Sequence, residues 1–273
     1  MNQDPSLTRH RSDRPLLDFP PNPDYGHGIA RRRIRLVGKP GMVQSVLADI
    51  FHEMRCTLTH DGERVTGIHG ETIRIPTSAC PAAAAVLEEL KDMPIAIATA
   101  DLYAGGRAQR NCTHLFDLAT LTLAHARRGT VTRVYEAAIP DETGDPVDIE
   151  VRRNGAPAHR WRVRDGEIMA PEELAGRPVG RGFTAWAARA FEGDALEAAT
   201  VLSRAYFVAY GRGFLPDTAD GLPVASQAAR IGVCYAYAAE RAQLATFRAG
   251  NGRDFTDSIV ETPWHGGPDG SGL

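Results

Sequence analysis

Two cysteines stand at the starts of segments that read as helices, Cys80 in SACPAAAAVLEEL (residues 78–90) and Cys112 in RNCTHLFDLATLTLAHA (residues 110–126). Such a position biases a thiol toward its thiolate, because a helix N-terminus favours nearby negative charge by roughly 0.3–1 kcal/mol. A thiolate is both a nucleophile and a metal ligand. Pro81 suits the first helical position and so puts Cys80 at an N-cap. Asn111 is a good N-cap for the second helix, leaving Cys112 at its first position and His114 in its first turn. Asp117 follows three residues later on the same helix face, where its carboxylate can fix the imidazole tautomer.

Seven of the nine histidines lie in the first half of the chain, which concentrates acid/base chemistry there. In FHEMRCTLTHDG a two-residue period puts His52, Met54, Cys56, Leu58 and His60 on one face, so His52 opens an apolar stripe directed beneath the helices. Three readings of the cluster stand side by side. Cys80, Cys112 and His52 can be small or amphipathic core residues at helix starts. His52, Cys80, Cys112 and His114 can form the tetrahedral nitrogen and sulfur set that zinc or iron accepts, at a spacing without a C-x-x-C pair. Alternatively, His114 oriented by Asp117 performs acid/base or nucleophilic chemistry with His52 and a Cys112 or Cys80 thiolate, and no metal or other cofactor. Arg74, between Ile73 and Ile75, points away from the apolar face and is a candidate for binding a substrate carboxylate.

The elements that must position these residues follow from patterning. The chain has 273 residues, 43% of them hydrophobic and 24% charged, which is ordinary globular usage and disfavours disordered, fibrous and solenoid classes. A net charge of −3 gives no nucleic-acid footprint. No apolar stretch is long enough for a membrane span, and the N-terminus lacks the apolar core of a signal peptide. A cytoplasmic location with Cys56, Cys80, Cys112 and Cys234 reduced is the expectation.

Residues 1–24, rich in proline, read as an extended arm, and residues 251–273 as a tail ending in HGGPDGSGL. Between them a β-β-β-α-α order occurs twice, over residues 25–128 and 129–250. The fold class expected is α+β, with two similar halves packed together, a cleft between them, and a C-terminal helix over residues 225–249. The basic run ARRRIRL (residues 30–36) alternates like an edge strand.

The runs YGHGIARRRIRL, DIFHEMRCTLTHDGERV, IRIPTSACP and CTHLFDL resemble the bacterial family catalogued as domain of unknown function 2889, over about residues 25–127. That resemblance implies His52, Cys80, Cys112, Thr113 and His114 as motif positions and supplies no reaction. Tyr25 and Thr113, within those runs, join Arg74 as substrate-binding candidates. The resemblance also favours a small-molecule enzyme of bacterial catabolism over a scaffold; the reaction expected from the residues is of the lyase, isomerase or hydrolase type, on a carboxylated, acylated or aromatic substrate. The rival class is a non-catalytic ligand-binding or assembly protein whose Cys/His cluster is structural or holds zinc or iron. A small molecule is the expected partner, with a homodimer open and neither nucleic acid nor membrane implied.

Overall fold

Eight segments of alternating burial pair into one antiparallel sheet, seen in a computed structural model that describes residues 18–258 and 260–262. The strands are β1 (Ile29–Lys39), β2 (Met42–Asp49), β3 (Glu53–His60), β4 (Val65–Arg74), β5 (Thr132–Pro140), β6 (Val147–Arg153), β7 (Ala156–Arg164) and β8 (Glu167–Ala170). Their order is β4-β3-β2-β1-β5-β6-β7-β8. Two four-strand meanders thus run outward from a central β1–β5 pair.

The helices are α1 (Thr99–Tyr103), α2 (Arg107–Arg110), α3 (Thr113–Ala126), α4 (Phe183–Ala190), α5 (Gly193–Ala209) and α6 (Ala239–Ala242), with a 3₁₀ helix over Cys80–Leu90. Helix α3 crosses β1, β2 and β3, while α5 crosses β5, β6 and β7 and reaches β1. Both lie on one face of the sheet, because Ile34 is directly opposite Leu47 on one side and Tyr135 on the other. All three are fully buried beneath the helices. Hydroxyls bind the layers as well: Ser45 of β2 meets Thr122 of α3 at 2.6 Å, and Tyr135 of β5 donates to Glu197 of α5 at 2.6 Å. Trp161 of β7 and Trp186 of α4 are core, packed with Phe183 of α4 and with Phe191.

The molecule is therefore α+β as expected, with differences of detail. Each segment supplies four strands where three were read, and the two sets join edge to edge in a single sheet. Strand β1 is central, not an edge. Its basic run is tolerated there because Arg32 is neutralised by a partner, while Arg31 and Arg33 lie on the half-buried opposite face and donate to carbonyls of Phe255 and Val260. The two-residue period of FHEMRCTLTHDG holds from Glu53 onward, and a tight turn between Asp49 and Glu53 separates that strand from β2.

The helix expected over residues 225–249 is instead a series of short turns, Val224–Ser226, Ala228–Arg230, Tyr235–Tyr237 and α6. Gly232 interrupts it at a left-handed φ of 86°. Of the proposed arm, residues 1–17 lie outside the described residues; Asp18 donates its amide to Gln227 and Phe19 meets the Phe247 ring at 5.3 Å. Of the proposed tail, residues 259 and 263–273 lie outside the described residues, whereas Arg253 donates its amide to the Ile50 carbonyl at 2.8 Å. No helix among the described residues is long and apolar enough to cross a membrane.

Gly70 of β4 sets the spacing beneath the helices: a Cβ there would approach Leu115 and Leu87 to 2.9 Å each. Both leucines are fully buried and have no room to retreat. Gly70→Ala should cost about 1–3 kcal/mol through overpacking. That corresponds to a fall of a few degrees in Tm, and an unchanged Tm would show that α3 and the 3₁₀ helix are not seated on β4 in this way.

Candidate active site

The site is built on a carboxylate. Asp49 ends β2 directly opposite Arg32 of β1, and Arg32 Nη1 donates to Asp49 Oδ2 at 3.1 Å. The other oxygen, Oδ1, accepts the amides of Phe51 and His52 at 2.9 and 2.8 Å, so the side chain itself folds the turn. The same oxygen meets His52 Nδ1 at 2.9 Å. Arg74 clamps the turn from outside, donating to the carbonyls of Asp49 and His52 at 2.5 and 3.0 Å and to that of Asn251 at 2.6 Å. Burial alone would raise the Asp49 pKa, but His52 and Arg32 overcome it and hold the carboxyl well below its usual range. With Nδ1 donating to a carboxylate, Nε2 is the basic position of the His52 ring.

The His114 ring lies over that of His52, with centroids 4.0 Å apart and planes inclined by 31°. Burial, then the neighbouring His52 and Arg32, push the His114 pKa well below its ordinary value, so His114 is a neutral imidazole. Cys112 is the cap of α3, extended at φ −67° and ψ 115°, one residue nearer the helix than the cap read from sequence at Asn111. Cys80 opens the 3₁₀ helix after a cap at Ala79, with Thr77 Oγ1 at 3.0 Å from its sulfur. A hydrogen bond from Cys112 is the largest influence on Cys80; with help from Thr77 and His52 it outweighs burial and brings the pKa down to about 6. The same interaction, reinforced by burial, holds the Cys112 proton in place and pushes its pKa well up. The pair thus favours one thiolate and one thiol, with the negative charge favoured on Cys80.

His52, Cys80, Cys112, Thr113, His114 and Asp117 all line one cavity of about 260 Å³, at the small end for ligand pockets. Its remaining wall comes from Phe19, Phe51, Pro76 and Thr77, the end of α5 and the C-terminal turns, and is largely aromatic and aliphatic. Some expected roles change. Asp117 does not orient His114: its carboxylate accepts from Tyr103 at 2.6 Å and pairs with Arg204 at 3.1 Å. The oriented histidine is His52, and its carboxylate is Asp49. Arg74 is spent on backbone carbonyls and does not line the cavity, because the break at residues 50–52 places that turn across its guanidinium.

Tyr25 lies elsewhere, its hydroxyl accepting the Glu142 amide at 3.0 Å. Cys56 is core, its thiol pushed up to about 12 by burial, and Cys234 is half-buried at the cavity. Asp254 pairs with Arg212 and not with the cavity residues. Among the described residues, no group of three or more His, Cys, Asp or Glu is arranged to hold a metal ion.

Asp49, Arg32, Thr77 and Arg230 were not singled out by their sequence context. For Asp49 a signal existed, an Asp three residues before a His, but the apolar run around it reads as uninterrupted strand. Comparison with protein-family models, curated proteins and solved structures finds no match for this chain.

Asp49→Asn leaves Arg32 charged in the core without its counter-ion, and should cost about 3–5 kcal/mol. The carboxyl pKa is depressed relative to about 3.9 in the unfolded chain. Its contribution is therefore complete at neutral pH and is lost as pH falls from about 5 through the depressed native value. Between pH 7 and pH 2 the Tm of the wild type should fall more steeply than that of Asp49→Asn; parallel curves would remove Asp49 from this role.

Proposed function

We propose that this chain is a small-molecule enzyme that uses the Cys80 thiolate as nucleophile on an acylated organic substrate. In the proposed reaction the Cys80 sulfur bonds to the acyl carbon, and the bond from that carbon to the leaving group breaks. A protonated His52 gives its proton to the departing group. Neutral His52 then takes a proton from water, whose oxygen attacks the thioester, releasing the acid and restoring the thiolate. Asp49 positions His52 throughout, Cys112 steadies the thiolate by hydrogen bonding, and neutral His114 packs on the His52 ring.

The observation that carries this reading is the meeting, at one cavity, of a carboxylate-held histidine and a cysteine whose hydrogen bonds favour its anion. Membership of the bacterial family of domain of unknown function 2889 belongs to the same proposal. It is supported by the fact that the motif positions of that resemblance, His52, Cys80, Cys112, Thr113 and His114, all line the cavity.

Iodoacetamide should alkylate Cys80 of the native protein with a rate that rises through a midpoint of about 6. Cys112→Ala removes the donor and should move that midpoint upward. Cys80→Ala should reduce hydrolysis of p-nitrophenyl butyrate to background. A Cys80 midpoint in the ordinary thiol range near 8.5, or ester turnover that survives Cys80→Ala, would favour the non-catalytic alternative.

A further inference from the structure

Three arginines line the cavity: Arg204 is paired with Asp117, Arg248 is exposed, and Arg230 is the half-buried one that the chemistry above leaves without an acidic partner among the described residues. Arg230 closes the turn Ala228–Arg230, lines the cavity, and rests its guanidinium over the Tyr237 ring, 4.9 Å from the centroid. Its Nε is buried and has no hydrogen-bond partner among the described residues. No ion pair joins Arg230 to an acidic side chain among those residues, whereas Arg32 pairs with Asp49 and Arg204 with Asp117. The two acids lining the cavity are engaged, Asp117 by Tyr103 and Arg204, and Asp217 by the Gly250 amide at 2.9 Å.

A guanidinium with an aromatic ring on one face keeps its N–H edge for a planar anion, and a carboxylate matches that edge with two parallel hydrogen bonds. Much of the surrounding wall is apolar, with Phe19, Phe51, Val208, Val233 and Phe247, although Thr77, Thr113 and Asn251 also line it. A ligand that fits both features is a single carboxylate on an apolar body.

We propose that Arg230 binds the carboxylate of a small, apolar, aromatic or branched-chain monocarboxylic acid, and that substrates of this site are such acids carrying a second, electrophilic carbon. The carboxylate contact stands on Arg230 and the cavity wall; only the placement of the electrophilic carbon rests on the thiolate reading. The site lies in the C-terminal turns, away from Arg74, the arginine to which sequence patterning assigned the carboxylate.

Calorimetry of the full chain with phenylacetate, isovalerate and their uncharged amides tests this. The wild type should bind at least one acid about tenfold more tightly than its amide, as a charge-assisted pair in a screened pocket implies. Arg230→Met keeps a long apolar stem over Tyr237 and should abolish the preference, while Cys80→Ala should retain it. Acid and amide binding alike in the wild type, or neither binding, overturns the proposal, as does an acid preference that survives Arg230→Met in a protein of native Tm. If Arg230→Met does not fold, Arg230→Lys decides: weaker acid binding supports the pairing and unchanged binding overturns it. Acid preference in a protein whose Cys80 resists alkylation would remove the thiolate reading alone.

Discussion

A buried carboxylate governs the arrangement. Asp49 is 1% exposed, and a charge so placed survives only with partners that replace its water. It has four: the Arg32 guanidinium, the His52 ring, and two amides of its own turn. Each partner fixes something else. Arg32 fixes the register of β1 on β2, since a slip by one residue would turn Arg32 to the other face and strand both charges. The amides fix the turn that ends β2, and the ring fixes where the carboxylate-held histidine of the cavity sits. Sheet register and site geometry are one constraint.

The thiols obey the same low-dielectric logic with the opposite allocation. Cys80 and Cys112 are both buried, so two thiolates there would repel and neither would be solvated. One proton between them avoids that outcome, and Thr77 and His52 decide that the charge rests on Cys80. His114 completes the balance by staying neutral against His52 and Arg32, which lets two imidazoles lie 4.0 Å apart without mutual repulsion.

The second half of the chain closes the cavity that holds His52, His114, Cys80 and Cys112. Gly211, just beyond α5, lies so close to the Phe51 ring that a side chain there would collide with it, and this pins the end of α5 against the Asp49 turn. Arg204 of α5 reaches Asp117 of α3 and so ties the two sheet-covering helices together over the cavity. The C-terminal turns then roof it with Arg230, Cys234 and Tyr237. These contacts span most of the chain length, so the cavity exists only when the whole sheet is formed.

Local rules determined a good deal here. The period of two located the strands and put Met54, Cys56 and Leu58 inside; helix-start chemistry located Cys80, Cys112 and His114 at the positive ends of two helices. These follow from residues within a few positions of each other, which is the range over which periodicity and capping act. Which carboxylate meets which histidine was decided by tertiary structure. Asp117 has the right spacing for His114 but is drawn to Tyr103 and to Arg204, a residue distant in sequence; Asp49 looks like strand but bends the chain, held by Arg32 of the adjacent β1 and by Arg74 of β4, two strands away. The edge or central position of β1, and the replacement of a C-terminal helix by turns that carry Arg230, were decided in the same way. A charged side chain takes the partner that removes the most desolvation cost, and that partner is chosen by strand pairing and packing across the whole fold.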